Sequence, residues 1–238
     1  MGVWGFRNEE FTFELFSLSH VFAITFSIGA IFVLFVFRDW IRTKGKTPLK
    51  YGLIVLLVFS EITFQLWYYL HGQWEVEVNL PLQLCSISLY LCTFMLLTKN
   101  YRVFEVTFFA SMTGAFIAII TPELFFGFPH FRYFQFFLAH LTIVLSCLYM
   151  VLIEGYTLTF ASLIRALIAL NGIAVFVFFI NKMVNANYMF LVHKPYNPSP
   201  IDYLGPYPYY LLSLEGVAFT LFYLLYLPFL INRKSDKM

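Results

Sequence analysis

Cys85 and His140 are the residues whose types best support covalent chemistry. A thiol becomes a nucleophile when a nearby base takes its proton, and a third group that orients the base completes the arrangement. His140 lies roughly 13 Å into its apolar run at 1.5 Å per residue. Cys85 lies within the first two turns of another, so the two sit at comparable depth on different helices. Glu61 and Glu215, each inside an apolar run, are the carboxylates able to orient the imidazole. His140 is therefore a candidate general base, Cys85 a candidate nucleophile, and Glu61 and Glu215 candidate orienting acids. His20, Gln65, Gln83, Gln135 and Asn181 are candidate ligand-binding groups at neighbouring depths. Taken singly, each has a plainer explanation. A buried thiol is usually inert, and a polar side chain in lipid usually ties helices together. The case for a site rests on the whole layer.

Other chemistries find less support. There is no HxxxH, no HExxH and no Cys/His cluster, so no metal is expected. No P-loop occurs and no GxGxxG follows a strand, so no nucleotide cofactor is expected. The cysteines are three, Cys85, Cys92 and Cys147, all within apolar runs. They read as no disulfide framework, and Cys92 and Cys147 read as packing residues.

The elements that carry these residues must lie in a membrane. Of 238 residues, 61% are hydrophobic and 12% charged. Soluble domains have about 45–50% and about 25%. One core of this size cannot hide so much apolar surface, with 31 Phe and 16 Tyr among it. A soluble enzyme, a disordered chain and a nucleic-acid binder are excluded on this ground, and the net charge of +2 suggests no polyanion partner. Membrane phospholipids are the expected partners, and the cell membrane the expected location. The polar opening residues do not read as a cleavable signal peptide.

Runs of about 20 apolar residues recur near 16–37, 51–71, 80–98, 103–121, 131–152, 162–183 and 208–231. The fold class expected is all-α, a single seven-helix transmembrane domain over 1–238. Lys and Arg set its direction. Arg38, Arg42, Lys44, Lys46, Lys50, Lys99, Arg102, Arg165, Arg233, Lys234 and Lys237, eleven of the fifteen, fall on one side. Arg7, Arg132, Lys182 and Lys194 fall on the other. An outer amino terminus and a cytoplasmic carboxyl terminus follow. The polar layer then spans the midplane to the outer surface. The stretch from Asn185 to Tyr210, with five prolines and six tyrosines, reads either as a packed cap over the outer mouth or as an interfacial loop with Tyr in the headgroups.

Three segments carry a resemblance: LPLQLCSIS at 80–88, TPELFFGFPHFRYFQFFLAH at 121–140, and NYMFLVHKP…SPIDYLGPYPYYLLSLE at 187–215. Together with SLSH around His20 and the midhelix Glu61, they resemble the YwaF-type bacterial integral membrane proteins. That family is distantly similar to eukaryotic transmembrane phospholipid acyltransferases and to androgen-induced multipass lipid hydrolases. The resemblance implies a catalytic histidine at His140 and a nucleophile at the start of the third helix. In those relatives a cysteine directly follows the proline. Here Leu82 stands there, and Cys85 comes three residues on. The function expected is a membrane-embedded acyl-lipid enzyme, a transferase or hydrolase working from an outward-facing polar pocket. The alternative is a non-catalytic receptor or carrier that binds a small ligand in the same pocket.

Overall fold

The structure, a computed structural model, describes residues 2–6, 10–195 and 199–235. Arg7, Lys237 and the 196–198 stretch of the long loop lie outside the described residues. The chain is all-α. Among the described residues no β-strand forms, and one isolated bridge pairs Thr12 with Phe126. The main helices are α1 Leu18–Val36, α2 Lys46–Leu70, α3 Leu84–Thr98, α4 Tyr101–Ile120, α5 Phe131–Leu152, α6 Phe160–Val184 and α7 Tyr209–Ser235. Six of them are long and apolar enough to cross a membrane. The chain is thus a multipass membrane protein by the length and composition of its helices.

α3 departs from expectation. It has 15 residues and begins at Leu84 rather than near Leu80. Leu80, ahead of Pro81, is extended, and Leu82 N–H turns back onto the Leu80 carbonyl at 2.7 Å, so the stretch before Leu84 is a turn and not helix. The basic stretch after α1 also departs. It was expected as a loop, but it is helical: Arg38–Trp40 forms one turn, Ile41–Gly45 a π-helical turn, and α2 follows at once. Pro48 lies just beyond this π-helical turn, the kind of local irregularity by which a continuous helical path accommodates a residue without an N–H.

α4 and α5 form the centre of the bundle and are the most enclosed, while α6 and α7 keep most of their surface open. Phe104, Phe109, Ile143, Val144, Tyr149 and Met150 are fully buried between them. Local chemistry sets the helix starts. Asn100 accepts from the backbone N–H of Arg102 and Val103 to start α4, and Thr159 with Ser162 forms a capping box for α6.

The two ends of the bundle differ. The basic end holds residues 37–45, 99–100 and 153–159. Its two buried acids are each held by cations and a hydroxyl. Glu154 takes Lys46 at 2.9 Å, Lys99 at 2.7 Å and the Tyr149 hydroxyl at 3.0 Å. Glu105 on α4 takes Arg165, Arg102 at 3.3 Å and the Ser162 hydroxyl at 2.6 Å. The opposite, capped end holds the amino-terminal strap (2–6 and 10–16), residues 71–83, the 121–130 connection and the long loop after α6. That loop packs closely: Tyr188 is buried, receives the Leu80 N–H at 2.8 Å and donates to the Val76 carbonyl.

Burial alone would raise the Glu154 carboxyl, but hydrogen bonds from Lys99, Lys46 and Tyr149 outweigh it and hold the group below the usual carboxylate range. A lowered folded pKa adds stability above the unfolded carboxylate value, and that stability is lost as pH falls through the folded value. Glu154→Gln is therefore expected to cost about 1–3 kcal/mol at neutral pH. The gap to the unsubstituted protein should close on acidification, as read by thermal unfolding in detergent across pH.

Candidate functional site

The capped end is organised around Arg132, a residue that counted only as an outer loop charge in the sequence. α5 begins at Phe131, with the His130 ring nitrogen Nδ1 accepting the Arg132 backbone N–H at 3.1 Å. Arg132 therefore lies in the first turn, and its side chain folds inward. The guanidinium carbon lies 4.4 Å from the Phe64 ring centre and 5.9 Å from that of Trp67, both on α2. One terminal nitrogen donates to Gln135 Oε1, one turn along α5. Gln135 passes the contact on, its amide nitrogen donating to the Ser60 carbonyl at 3.0 Å.

Glu61 follows Ser60 on α2 and is buried. Its Oε1 accepts from Gln65 Nε2 at 3.0 Å and from the Tyr90 hydroxyl at 3.4 Å. Gln65 also donates to the Asn79 carbonyl at 3.0 Å and accepts the Trp74 indole N–H at 2.8 Å. Arg132 feels the Glu61 charge, yet no ion pair within 4 Å joins them among the described residues. Nor does any hydrogen bond or ion pair join Glu61 to His140 among the described residues.

His140 is buried on α5. Its Nδ1 lies 2.7 Å from the Phe136 carbonyl, so Nδ1 carries the proton and donates. That fixes the tautomer and leaves Nε2 as a lone pair inside the protein with no hydrogen-bond partner. The Arg132 charge reaches this ring. Three donors in the same part of the bundle also lack partners: Arg132 Nε, Asn79 Nδ2 and the Ser60 hydroxyl. Buried polar groups are nearly always satisfied in folded proteins, so such a set marks a place for a ligand or for water.

Of the residues singled out in the sequence, Gln135 contacts Arg132 directly, Glu61, itself bonded to Gln65, acts on it through charge, and His140 lies deeper on α5 within reach of its charge. The others do not join them. Cys85 is half-buried in the first turn of α3, no hydrogen bond links it to His140, and the charge that acts on it is Glu123. Glu215 accepts from Asn171 at 2.9 Å on the exposed α6–α7 face. His20 is fully satisfied, with Nε2 donating to the Ile119 carbonyl at 2.9 Å and Nδ1 accepting the Phe16 N–H at 3.0 Å. Asn181 clasps both backbone groups of Tyr188, and Gln83 accepts the Met189 N–H at 3.0 Å. These last two pin the long loop. The sequence did hold a signal for Arg132: a cation just inside an apolar run with Gln135 at i+3 presents both on one helix face.

The strap roofs this group. Trp67 Nε1 donates to the Trp4 carbonyl at 2.9 Å, His130 Nε2 donates to the Gly5 carbonyl at 2.7 Å, and Phe131 N–H donates to the Val3 carbonyl at 2.7 Å. Phe6 stacks on Trp67 at 4.8 Å. Burial above all, with Arg132 and His71 nearby, holds His130 below the usual imidazole range and keeps it a neutral latch. Gly127 sits so close beneath the strap that a Cβ there would lie 2.5 Å from the Thr12 carbonyl oxygen. Beside the strap a depression of about 370 Å³ is lined by Phe6, Tyr68, Gln73, Glu75, Val78, Phe125 and Phe126. None of the sequence-derived candidates lines it. Tyr68, however, is also within electrostatic reach of Arg132.

A model of the TMEM164 family matches residues 15–226. No curated protein and no solved structure matches the chain.

Gln135→Leu removes the Arg132 acceptor and leaves the Ser60 carbonyl unpaired. A loss of about 1–3 kcal/mol is expected in thermal unfolding. Gly127→Ala should instead displace the strap while the bundle stays folded. Faster proteolytic clipping before Leu18, with helix content unchanged by circular dichroism, is the expected readout.

Proposed function

The chain belongs to the TMEM164 family, and from that premise and the geometry around Arg132 we propose that it is a membrane-embedded acyl-lipid enzyme with His140 as its general base. In this reading all seven helices lie in the cell membrane, with the amino terminus and the capped end outside and the basic end in the cytoplasm. α3 completes its crossing with the turns that precede it. The enzyme then works on phospholipid chains of the outer leaflet. The substrate class is suggested by the resemblance of segments 80–88, 121–140 and 187–215 to the YwaF-type proteins, a family distantly similar to lipid acyltransferases and hydrolases.

One observation carries the proposal. The Phe136 carbonyl holds His140 in a single tautomer, and its free Nε2 lone pair is buried without a partner. A general base needs its acceptor nitrogen unoccupied and aimed at the proton it will take. Nε2 would take the proton of a water or lipid hydroxyl as that oxygen attacks an acyl ester carbonyl. It would then return the proton to the departing lysolipid oxygen. Donors that lack partners nearby, among them the Ser60 hydroxyl and Asn79 Nδ2, are of the kind that stabilises charge developing on a carbonyl oxygen.

Cys85 enters this scheme less naturally. A thiolate needs a base or positive charge beside it. Its charged neighbour is Glu123, a carboxyl that burial holds above its usual range. The attack is therefore assigned to an oxygen nucleophile. The alternative, a non-catalytic receptor or carrier, would hold a cation or amine between Glu61 and Glu215, whereas the contact of Glu215 is with Asn171.

Purified protein given labelled phospholipid is expected to release lysolipid or transacylated product. His140→Ala should lower that rate by about 10²–10⁴-fold, and Cys85→Ser should leave it within a few-fold. Unchanged turnover in His140→Ala removes the proposal. Loss of turnover in Cys85→Ser alone moves the attack to the thiol.

A further inference from the structure

We infer that Arg132, with its unshared Nε–H, is the anchor for an oxyanion borne on a lipid, a phosphoryl head group, and so sets which molecules present an ester to His140. The inference rests on the acyl-lipid reading for its second half only. The anion site itself stands on the contacts of Arg132.

The first argument is the hydrogen-bond inventory. Among the described residues, two unpartnered buried groups of the network around Arg132 can only donate, Arg132 Nε–H and the Asn79 amide, while the Ser60 hydroxyl donates or accepts and His140 Nε2 accepts. The two obligate donors call for a guest that accepts. Guanidinium is the group that matches phosphate or carboxylate oxygens with several parallel N–H bonds.

The second argument is preorganisation. Gln135 occupies one terminal nitrogen of Arg132, and the Phe64 ring lies under the guanidinium plane. The fork is therefore held in place before any guest arrives. Glu61, the one acid whose charge reaches it, is drawn aside by Gln65 and Tyr90 and makes no ion pair with it. Had the cation served only to neutralise Glu61, a direct contact would be expected.

The third argument is order along α5. Arg132 stands in the first turn, and His140 stands eight residues deeper, about 12 Å at 1.5 Å per residue. A phospholipid carries its phosphate nearer to water and its acyl esters nearer to the hydrocarbon. The cation and the free imidazole follow the same order from the capped end inward.

The test uses the full chain carrying His140→Ala, so that no ligand is consumed, in dodecyl maltoside micelles, which contain no phosphate. Hexadecyl phosphate, hexadecanol and inorganic phosphate are titrated by calorimetry. Hexadecyl phosphate is expected to bind at least about tenfold tighter than hexadecanol, and tighter than inorganic phosphate. Adding Arg132→Gln should abolish the preference over the alcohol, and Arg132→Lys should keep part of it. Adding Glu61→Gln should tighten hexadecyl phosphate several-fold, because it removes the one opposing charge. That arm does not depend on Arg132→Gln remaining folded. Equal binding of phosphate and alcohol, or weaker binding in Glu61→Gln, overturns the site. Equal binding of inorganic phosphate overturns its assignment to a lipid. Phosphate preference with no turnover in the unsubstituted protein defeats the enzyme reading alone. Turnover with no phosphate preference defeats the anchor alone.

Discussion

A guanidinium drawn into a membrane bundle must find partners there, and the capped end of this protein is arranged around that requirement. Removing a cation from water is costly unless hydrogen bonds and opposite charge replace the hydration. Arg132 obtains them from α2 and from its own helix: the Phe64 and Trp67 rings, the Gln135 carbonyl oxygen, and the Glu61 charge at longer range. Each partner creates a further demand. Gln135 needs an acceptor and finds the Ser60 carbonyl. Trp67 and His130 need acceptors for their ring N–H groups and find them in the amino-terminal strap. α2, α5 and the strap are thus linked at one place, beside one buried charge.

The basic end solves the same electrostatic problem in the opposite manner. Glu105 and Glu154 are each held by two cations and a hydroxyl. Such closed groups staple helices and do little chemistry. At the capped end the network remains open, with Arg132 Nε, His140 Nε2, Asn79 Nδ2 and the Ser60 hydroxyl unshared. That contrast is what marks the capped end as the candidate site.

The open network also gives the strap its meaning. Its contacts are mainly backbone carbonyls receiving side-chain N–H groups, with Phe6 laid on Trp67. Carbonyl acceptors are tolerant of which residue supplies them. The narrow approach of Gly127 to Thr12 is not, since only a residue without a Cβ fits. The position of the roof therefore depends on a glycine in the 121–130 connection as much as on the strap itself.

Membrane character and the all-α class were legible in the residues alone, whereas of the seven apolar runs six form helices long enough to cross. Twenty-residue hydrophobic runs have few alternatives in water or lipid. His140, Glu61, Gln65 and Gln135 were legible as candidates because polar groups inside such runs are rare enough to stand out. The start of α3 and the helical path from 38 to 45 were not, since they turn on local backbone bonds around Pro81 and Pro48. Nor was the division of the polar layer. His20 and Asn181 differ from His140 only in that nearby backbone groups satisfy them. Glu215 differs from Glu61 in facing Asn171 across an open face. Depth along a helix is a one-dimensional quantity and is written in the sequence. Which way a side chain points, and whether a neighbour from a distant segment has already taken its hydrogen bonds, is decided only when the helices pack. For that reason Arg132, counted as a loop charge by position, became the centre of the site.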